Sequence, residues 1–326
     1  MKIAILGGGM TGTACAHRLS LYGHSVILVE KGRGVGGRMS TRRMGGARID
    51  HGAQFLTVRD ERMNEYLLKW KQTDVVKAWY DRIPGREDLA AGTRYRGTLG
   101  MNSPVKSLAE SLAVEKQFFV ESIERKDQWL IRERAGLGRN LMADHVVVTF
   151  PVPQVLELFQ RSGFSLDPQT MQKLRAVRYT RCLALLGLLE GSSALENSGT
   201  LTHPVPEVDW ISDNMTKGIS EQPACTVHAS SCYSEKFWDA PDEDRMPFMI
   251  KVAEENLKAR ITQWSSHRWG FAKPLVTFGD SHFHSLEQGV SLAGDGFGGE
   301  RIENAFLSGW KVAESILSSV GQNLNR

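Results

Sequence analysis

The stretch KIAILGGGMTGTACAHRLSLYGHSVILVE, residues 2–30, decides the fold of this chain. Residues 2–6 form a short apolar run that is typical of a buried parallel strand, and residues 25–30 form a second run of this kind. A glycine-rich turn and a helical pattern over residues 13–22 separate the two runs. The order of strand, glycine turn, helix and strand predicts the dinucleotide-binding unit of a doubly wound α/β fold.

The glycines and the terminal acidic residue of this unit each have a separate structural role. Gly7 makes the tight turn, Gly9 lets the backbone approach a pyrophosphate, and Gly12 lets the helix pack closely on the strand. The free N–H groups and the positive dipole end of the helix then face the phosphates. Glu30 ends the second strand, where a carboxylate accepts hydrogen bonds from a ribose diol. This unit alone does not separate NAD from FAD.

The segment that follows is basic and rich in glycine. Residues 31–48 hold six Lys and Arg residues and no acidic residue. A charge run of this kind is compatible with a solvated surface loop. Because the segment starts at the residue that should hold the adenosine ribose, we favour a loop that wraps the diphosphate and presses its backbone against a cofactor.

Three motifs together resemble a known family. Residues 7–12 followed by EKGRGVGGRMST at 30–41 resemble the FAD-binding signature of the flavin-containing amine oxidases. Residues 49–57, IDHGAQFLT, resemble the D-x-G-A-Q-[YF]-x-T segment of renalases, and the chain is similar to bacterial renalase-like proteins. Residues 292–309 resemble the C-terminal FAD motif of the same group. Weaker similarities lie at Asp209-Trp210-Ile211 with Lys217, and at His267-Arg268-Trp269.

The resemblance implies non-covalently bound FAD and a set of cofactor contacts. The fold that it implies is α/β, with a Rossmann-type, glutathione-reductase-like FAD-binding domain and a second α+β substrate domain on a mixed or antiparallel sheet. The implied FAD contacts are Gly7, Gly9, Met10, Thr11, Gly12, Glu30, Lys31, Gly37, Arg38, Met39, Gln54, Phe55, Ile123, Asp295, Gly296, Arg301 and Ile302.

The C-terminal motif also has a clear local pattern. A short strand over residues 289–293 leads into a glycine-rich turn at 294–299 and an amphipathic helix over 301–318. This arrangement directs a second helix N-terminus at the cofactor, where a positive dipole end favours reduced, anionic flavin. The resemblance implies that Asp295 binds the ribitol chain.

A length of 326 residues is typical of two domains or of one large domain. We expect a discontinuous FAD-binding domain from residues 1–55, 105–155 and 275–326, and a substrate domain from 56–104 and 156–274. Helices are predicted at 61–71 and 107–113. Residues 282–284, HFH, are predicted to lie in a surface loop; this spacing lacks a third ligand, so we expect no metal site.

The charge, the apolar runs and the cysteines of the sequence argue against nucleic-acid binding, membrane insertion and secretion. A net charge of +3 is too small to indicate nucleic acid, and the longest apolar run, residues 182–189, is too short to cross a membrane. The apolar start of the chain is too short for a secretion signal, and the four cysteines have no CxxC spacing. We therefore expect a cytoplasmic protein with reduced thiols and leave its oligomeric state open.

The resemblance implies an oxidase that converts the 2- and 6-dihydro isomers of NAD(P)H to NAD(P)+ and passes the electrons to O2, giving hydrogen peroxide. The alternatives are an FAD-dependent amine oxidase or a desaturase-like enzyme, or a flavoprotein without turnover. All six tyrosines lie at or before Tyr233, so the C-terminal motif lacks the cage tyrosine of amine oxidases. No cysteine follows Cys232 to hold flavin covalently.

The residues predicted to face the substrate are few. Trp269, His267 and Gln54 are expected to line its side of the flavin, and a dihydropyridine that becomes aromatic needs no general base. Phe297 is an alternative wall for an amine. Substrate phosphates require cations, for which the candidates are Arg59, Arg94 and Arg96.

Overall fold

The computed structural model describes residues 1–82, 92–134, 138–196 and 198–324, which form two compact units. The first unit comprises Met1–Gly37, Val105–Tyr179 and the chain from Lys273 onward. The second unit comprises Arg38–Pro104 and Thr180–Ala272.

These units differ from the predicted domains in residues 38–55 and 156–179, and by two residues at the boundary at Lys273. Residues 38–55 belong to the second unit because the hairpin over residues 41–50 packs on its sheet. Residues 156–179 belong to the first unit because their helices bury Leu158, Phe159 and Leu174 in its core. The cut between residues 104 and 105 is common to both divisions.

The helices in the described part of the chain are α1 (Met10–Leu21), α2 (Glu61–Gln72), α3 (Ser103–Ala109), α4 (Val152–Ser162), α5 (Pro168–Ala176), α6 (Ser231–Lys236), α7 (Asp242–Leu257), α8 (Asp295–Gly298) and α9 (Ile302–Leu324), with a 3₁₀ turn at Gly37–Met39. None of them has the length and apolar character required to cross a membrane.

The strands in the same described ranges are β1 (Lys2–Leu6), β2 (Ser25–Glu30), β3 (Thr41–Met44), β4 (Ala47–Asp50), β5 (Val76–Tyr80), β6 (Arg94–Gly97), β7 (Ala113–Lys116), β8 (Val120–Arg125), β9 (Trp129–Glu133), β10 (Asn140–Ala143), β11 (His145–Val148), β12 (Arg178–Tyr179), β13 (Cys182–Leu189), β14 (Thr200–Val205), β15 (Val208–Asp213), β16 (Ala224–Ala229), β17 (Ile261–Trp269), β18 (Pro274–Val276), β19 (His282–Ser285) and β20 (Val290–Ala293).

The first unit contains the predicted doubly wound sheet. Its strand order is β19-β20-β11-β1-β2-β7; only β19 pairs antiparallel, as the edge strand. Helices α1 and α9 pack on each other so closely that a Cβ on Gly309 would lie 2.1 Å from the carbonyl oxygen of Thr11. The predicted α/β fold is confirmed. The first helix begins at Met10, three residues earlier than predicted.

The second unit is built on a five-stranded antiparallel sheet of order β14-β15-β16-β13-β17. One face is apolar and packs on α7 through Leu185, Val227 and Met249. On the other face, pairing aligns Trp210, His228, Ala184 and His267 in one row across four strands. We call this second surface the polar face. It supports the segment that carries the D-x-G-A-Q motif.

Two local predictions were wrong. The helix predicted at 107–113 is α3, Ser103–Ala109, because Pro104 suits a helical first turn, and Ala113 onward instead pairs with β2 as strand β7. Residues 282–284 are not a surface loop but strand β19, half-buried against β20. The His282 ring bonds the Ser281 and Ser315 hydroxyls, and the His284 ring bonds two other serines.

His145 makes the first unit sensitive to acid. It is fully buried in β11, with its Nε2 atom 2.8 Å from the hydroxyl of Ser291. Burial, with smaller contributions from the nearby His284 and Arg125, lowers the pKa of His145 to about 3. The folded protein thus keeps this ring neutral at a pH where the unfolded chain protonates it.

We therefore expect stability to fall as the pH drops below about 6.5, the pKa of an unfolded histidine. His145 alone should account for about 2 kcal/mol of lost stability between pH 7 and pH 5. Urea unfolding at both pH values, at equal FAD saturation, should show a smaller loss in His145→Gln. An identical loss in the variant and the wild type would contradict the assignment.

Candidate functional site

Glu30 closes the glycine turn of the first unit. Its carboxylate accepts the N–H of Gly8 at Oε2 (2.9 Å) and the N–H of Gly32 at Oε1 (2.6 Å). Each oxygen keeps a further lone pair. The carboxylate is therefore held rigidly while it retains the capacity to accept hydrogen bonds from a ribose diol.

The two glycine motifs meet at Gly9. The N–H of Gly36 donates to the carbonyl of Gly8 at 2.8 Å, and a Cβ on Gly37 would lie 3.3 Å from the Cα of Gly9. A Cβ on Gly9 would meet no atom within 4 Å, whereas one on Gly12 would lie 1.9 Å from the carbonyl oxygen of Gly7. Gly12 is therefore required for packing, and Gly9 borders an open cradle.

The N-terminus of α1 opens on this cradle. Gly9 is its N-cap and provides no side-chain cap, and the first N–H groups of a helix have no partner within the helix. Met10 and Thr11 are buried, and the Thr11 hydroxyl donates to the Ala305 carbonyl at 2.9 Å. These two residues thus offer a ligand their backbone, while the side chain of Lys31 is exposed.

The C-terminal motif forms a second turn in the same unit. Gly294 has a φ of +147° and leads into α8, a single helical turn within the predicted glycine-rich turn. Asp295 is buried, and the Tyr179 hydroxyl donates to its Oδ1 at 3.3 Å. Gly296 is confined by Tyr179, since a Cβ there would lie 2.5 Å from that hydroxyl oxygen.

The other predicted contacts of the first unit have protein partners. Arg301 forms an ion pair with Glu303 at 2.8 Å, and Ile302 begins α9. The N–H of Ile123 donates to the Ser162 hydroxyl at 2.9 Å, so a contact to adenine at Ile123 would have to use its carbonyl. Phe297 packs on Phe278 in the core and is not a free cage wall.

These features fit the adenosine diphosphate part of FAD. A rigid carboxylate, a cradle that a Cβ at Gly9 would occupy and uncapped helix N–H groups are the complement of a ribose and a pyrophosphate.

In the second unit, Asp50 anchors the D-x-G-A-Q segment. Its Oδ1 accepts the hydroxyl of Thr41 (2.6 Å) and the N–H of Met101 (2.8 Å), and its Oδ2 lies 2.9 Å from Nζ of Lys217. Its carbonyl accepts the hydroxyl of Thr226 on the polar face at 2.9 Å. Both side chains of the ion pair are fully buried.

Gln54 is held at every polar atom. Its Nε2 donates to the carbonyls of Asp50 (2.6 Å) and Gly52 (3.0 Å). Its Oε1 accepts Ser212 (3.0 Å) and Lys217 (3.2 Å). An amide has two donors and two acceptor sites, and all four are used. Gln54 was predicted to contact substrate or flavin, but its amide has no donor or acceptor left for a ligand. Its side chain instead holds the D-x-G-A-Q segment in place.

The tip of the segment is equally constrained. The carbonyl of His51 accepts the indole N–H of Trp269 at 2.8 Å, and the Nε2 atom of His228 lies 3.1 Å from the same oxygen. A Cβ on Gly52 would lie 2.1 Å from the carbonyl oxygen of Arg38. Only glycine fits at this position.

The remaining predicted residues of the second unit are Arg38, Met39 and Phe55. The Arg38 guanidinium donates to the carbonyl of Phe271 at 3.0 Å, and Met39 is buried. Phe55 packs against Tyr80 and Trp210, with ring centroids 6.2 and 5.9 Å apart.

His51, His267 and Trp269 form one ring cluster. The His267 and Trp269 centroids are 4.2 Å apart, and His51 stacks on Trp269 at 5.1 Å. Burial lowers the pKa of His51 to about 3, and His267 and Arg42 contribute to the shift. Burial and then Arg42 also lower the pKa of His267. The cluster is therefore aromatic and uncharged at neutral pH.

The arginines suggested for substrate phosphates are placed differently. Arg94 is buried and donates to the carbonyls of Asp81 and Gly92. The Arg96 guanidinium lies against Gly218, and burial lowers its pKa. Arg59 is exposed on the loop before α2. Arg94 and Arg96 thus serve the packing of the second unit.

Several residues of this arrangement were not identified from the sequence. Lys217 was noted only as part of a weak similarity, and Asp50 only as the first residue of the D-x-G-A-Q motif; neither was assigned a role. Ser212 and Thr226 carried no signal, because their role depends on strand register. His51 was quoted in the motif, but its contact with Trp269 joins two distant segments.

The comparisons agree with the three motifs. Residues 5–70 match the family of NAD(P)-binding Rossmann-like domains, and residues 82–317 match the flavin containing amine oxidoreductases. The second match spans more than half of the chain.

Individual relatives are distant. Renalase of Mus musculus is 22% identical over 343 residues, which covers 97% of this chain and 98% of the renalase. The 4,4'-diapophytoene desaturase (4,4'-diaponeurosporene-forming) of Staphylococcus haemolyticus is 29% identical over 145 residues, covering 39% of this chain and only 29% of the desaturase. The structure of a putative protoporphyrinogen oxidase from Exiguobacterium sp. 255-15 superimposes with a TM-score of 0.73 at 14% identity, covering 97% and 98% of the two chains.

Gly9→Val should abolish FAD binding while the protein still folds. The new side chain fills the cradle rather than the core, and FAD affinity should fall at least tenfold, roughly the effect of losing the close approach of backbone to phosphate. Gly191→Val is the matched control, since a Cβ there also meets no atom within 4 Å. Flavin absorbance and circular dichroism of both variants measure the effect; a normal flavin spectrum in Gly9→Val would refute the cradle.

Lys217→Met should destabilise the protein by roughly 3–5 kcal/mol, because it leaves the Asp50 carboxylate buried without a counter-charge. The double variant with Asp50→Asn should lose less than the sum of the two single variants. Urea unfolding measures both, with exposed Lys251→Met as control. Additive losses would show that the two side chains do not act as a pair.

Proposed function

The chain belongs to the flavin containing amine oxidoreductase family and is an FAD-dependent oxidoreductase of the renalase-like kind, and on that premise we propose that it oxidises the 2- and 6-dihydro isomers of NAD(P)H to NAD(P)+. When bound, FAD would supply the redox chemistry, namely acceptance of a hydride from the substrate and transfer of the two electrons to O2 to give hydrogen peroxide. The role would be the repair of wrongly reduced cofactor in the cytoplasm.

One observation carries the proposal. The similarity to a renalase runs over 97% of this chain and 98% of that protein, whereas the similarity to a desaturase stops after 145 residues. The D-x-G-A-Q segment that distinguishes renalases also forms the most constrained part of the second unit. The choice of the dihydro isomers as substrate rests on the resemblance of these motifs to those of renalases.

The chemistry of the second unit supports a reaction without a general base. The lowered pKa values of His51 and His267 make both rings weak proton acceptors, and the Asp50 carboxylate is paired with Lys217. A dihydropyridine that gives up hydride becomes an aromatic pyridinium and has no proton to remove. The ring cluster supplies flat aromatic surfaces for such a substrate.

The proposal is tested by adding an NADH preparation enriched in the 2- and 6-dihydro isomers to the protein under nitrogen. We expect the visible flavin band to bleach rapidly and to return in air with one peroxide formed per NAD(P)+. Purified 4-dihydro NADH and a panel of primary and secondary amines are the controls. Bleaching by amines alone would assign an amine oxidase, and bleaching by none of them would refute the proposed substrate.

The pH dependence separates the same two reactions. Since the lowered pKa values of His51 and His267 leave both rings neutral above pH 7, the rate of flavin bleaching by the isomers should be constant from pH 7 to 9. An amine substrate reacts as the neutral base, so its rate should rise roughly tenfold per pH unit below its own pKa. A rising profile with the isomers would contradict a mechanism without a base.

A further inference from the structure

Arg42 lies close enough to the ring cluster for its charge to act on it. It is half-buried on β3, and its Nη1 donates to the hydroxyl of Ser265 on β17 at 2.9 Å. Within the described ranges, no carboxylate forms an ion pair with its guanidinium. This leaves most of its five N–H donors for another acceptor.

The buried arginines Arg245 and Arg94 of the second unit are compensated. Arg245 forms an ion pair with Asp242 at 2.6 Å, and Arg94 donates to backbone carbonyls. Because an arginine removed from water without a counter-charge is costly, a half-buried one beside a candidate substrate site indicates an anionic ligand.

The groups around Arg42 suit an anion. Ser265 and His267 alternate along β17 and therefore share the polar face with it. The positive charge of Arg42 contributes to the lowered pKa of both His51 and His267, which shows that its field reaches the ring cluster. A guanidinium fork, a hydroxyl and a neutral imidazole can all donate to phosphate oxygens, and the same positive field opposes the entry of an ammonium group.

We propose that Arg42, Ser265 and His267 form an anion subsite that binds a phosphate group of the substrate and so selects a dinucleotide over an amine. The inference rests on the proposed function, because it names the part of the dihydronicotinamide dinucleotide that this chain holds. Arg42 replaces Arg59, Arg94 and Arg96 as the phosphate-binding cation.

The test compares Arg42→Gln with Arg268→Gln. Arg268 neighbours His267 on β17 but points to the opposite face, where its guanidinium lies 5.7 Å from the centre of the Trp238 ring. The two substrates are the 6-dihydro isomer of NAD and the 6-dihydro form of N-methylnicotinamide, which has no phosphate. Arg42→Gln should raise KM for the dinucleotide about tenfold and weaken its salt dependence, without changing kcat. The phosphate-free reductant should react alike in all three proteins.

Three results would overturn the subsite. Equal kinetics in the wild type and Arg42→Gln would show that no phosphate is bound there. Equal losses with both substrates would indicate that Arg42 only supports the fold. Loss of FAD from Arg42→Gln, with Arg268→Gln saturated, would assign the cation to the phosphates of the cofactor instead.

A binding measurement separates this inference from the proposed function. ADP-ribose, the dinucleotide portion without the nicotinamide, is titrated calorimetrically into the FAD-loaded proteins. If none of the isomers is oxidised but ADP-ribose binds and is lost in Arg42→Gln, the subsite stands and the proposed function fails. If the isomers are oxidised and ADP-ribose binds equally to both proteins, the proposed function stands and the subsite fails.

Discussion

The buried carboxylate of Asp50 is the constraint on which the second unit depends. A charge out of water must be matched by hydrogen bonds and a counter-charge, and Asp50 obtains them from Thr41, Met101 and Lys217. These partners come from separate segments, so satisfying one side chain fixes the end of β4 against them. The backbone position of residues 51–55, which follow β4 directly, is therefore restricted.

The five-stranded sheet that supports residues 51–55 has an apolar face and a polar face. Its apolar face is buried on α7 and supplies the hydrophobic core, whereas its polar face presents hydroxyls, imidazoles and indoles from successive strands. These groups bind the backbone of the segment through Thr226, His228 and Trp269. The result is an aromatic surface on which His51 and His267 are neutral and to which Arg42 adds a positive charge, and these properties support the proposed dinucleotide substrate over an ammonium ion.

The sequence predicted the first unit well because its signals are local. Apolar runs, glycines at fixed spacing and a terminal acid follow directly from the needs of a strand, a tight turn and a phosphate, and Glu30, Gly9 and Gly12 lie as expected. The helix predicted at 107–113 failed because its last residues pair with β2, and parallel pairing between distant segments leaves no local pattern.

The second unit was less predictable for the same reason. Gln54 was identified from its motif, but its saturation by Ser212 and Lys217 depends on antiparallel register and a turn far along the chain. The Asp50–Lys217 pair and the position of Arg42 beside Ser265 likewise join segments that no spacing rule connects. The charge of Arg42 was visible in the sequence, whereas its position beside Ser265 and the ring cluster was not.

The central claim is that the ring of a 2- or 6-dihydronicotinamide gives its hydride to the flavin of this protein. The most direct measurement is stopped-flow flavin reduction under nitrogen with the 6-dihydro isomer carrying deuterium at both C6 positions. We predict that deuterium slows the bleaching several-fold, with NAD(P)+ as the only organic product. A bleaching rate that deuterium leaves unchanged, or a flavin band that the isomer leaves oxidised, would contradict the account.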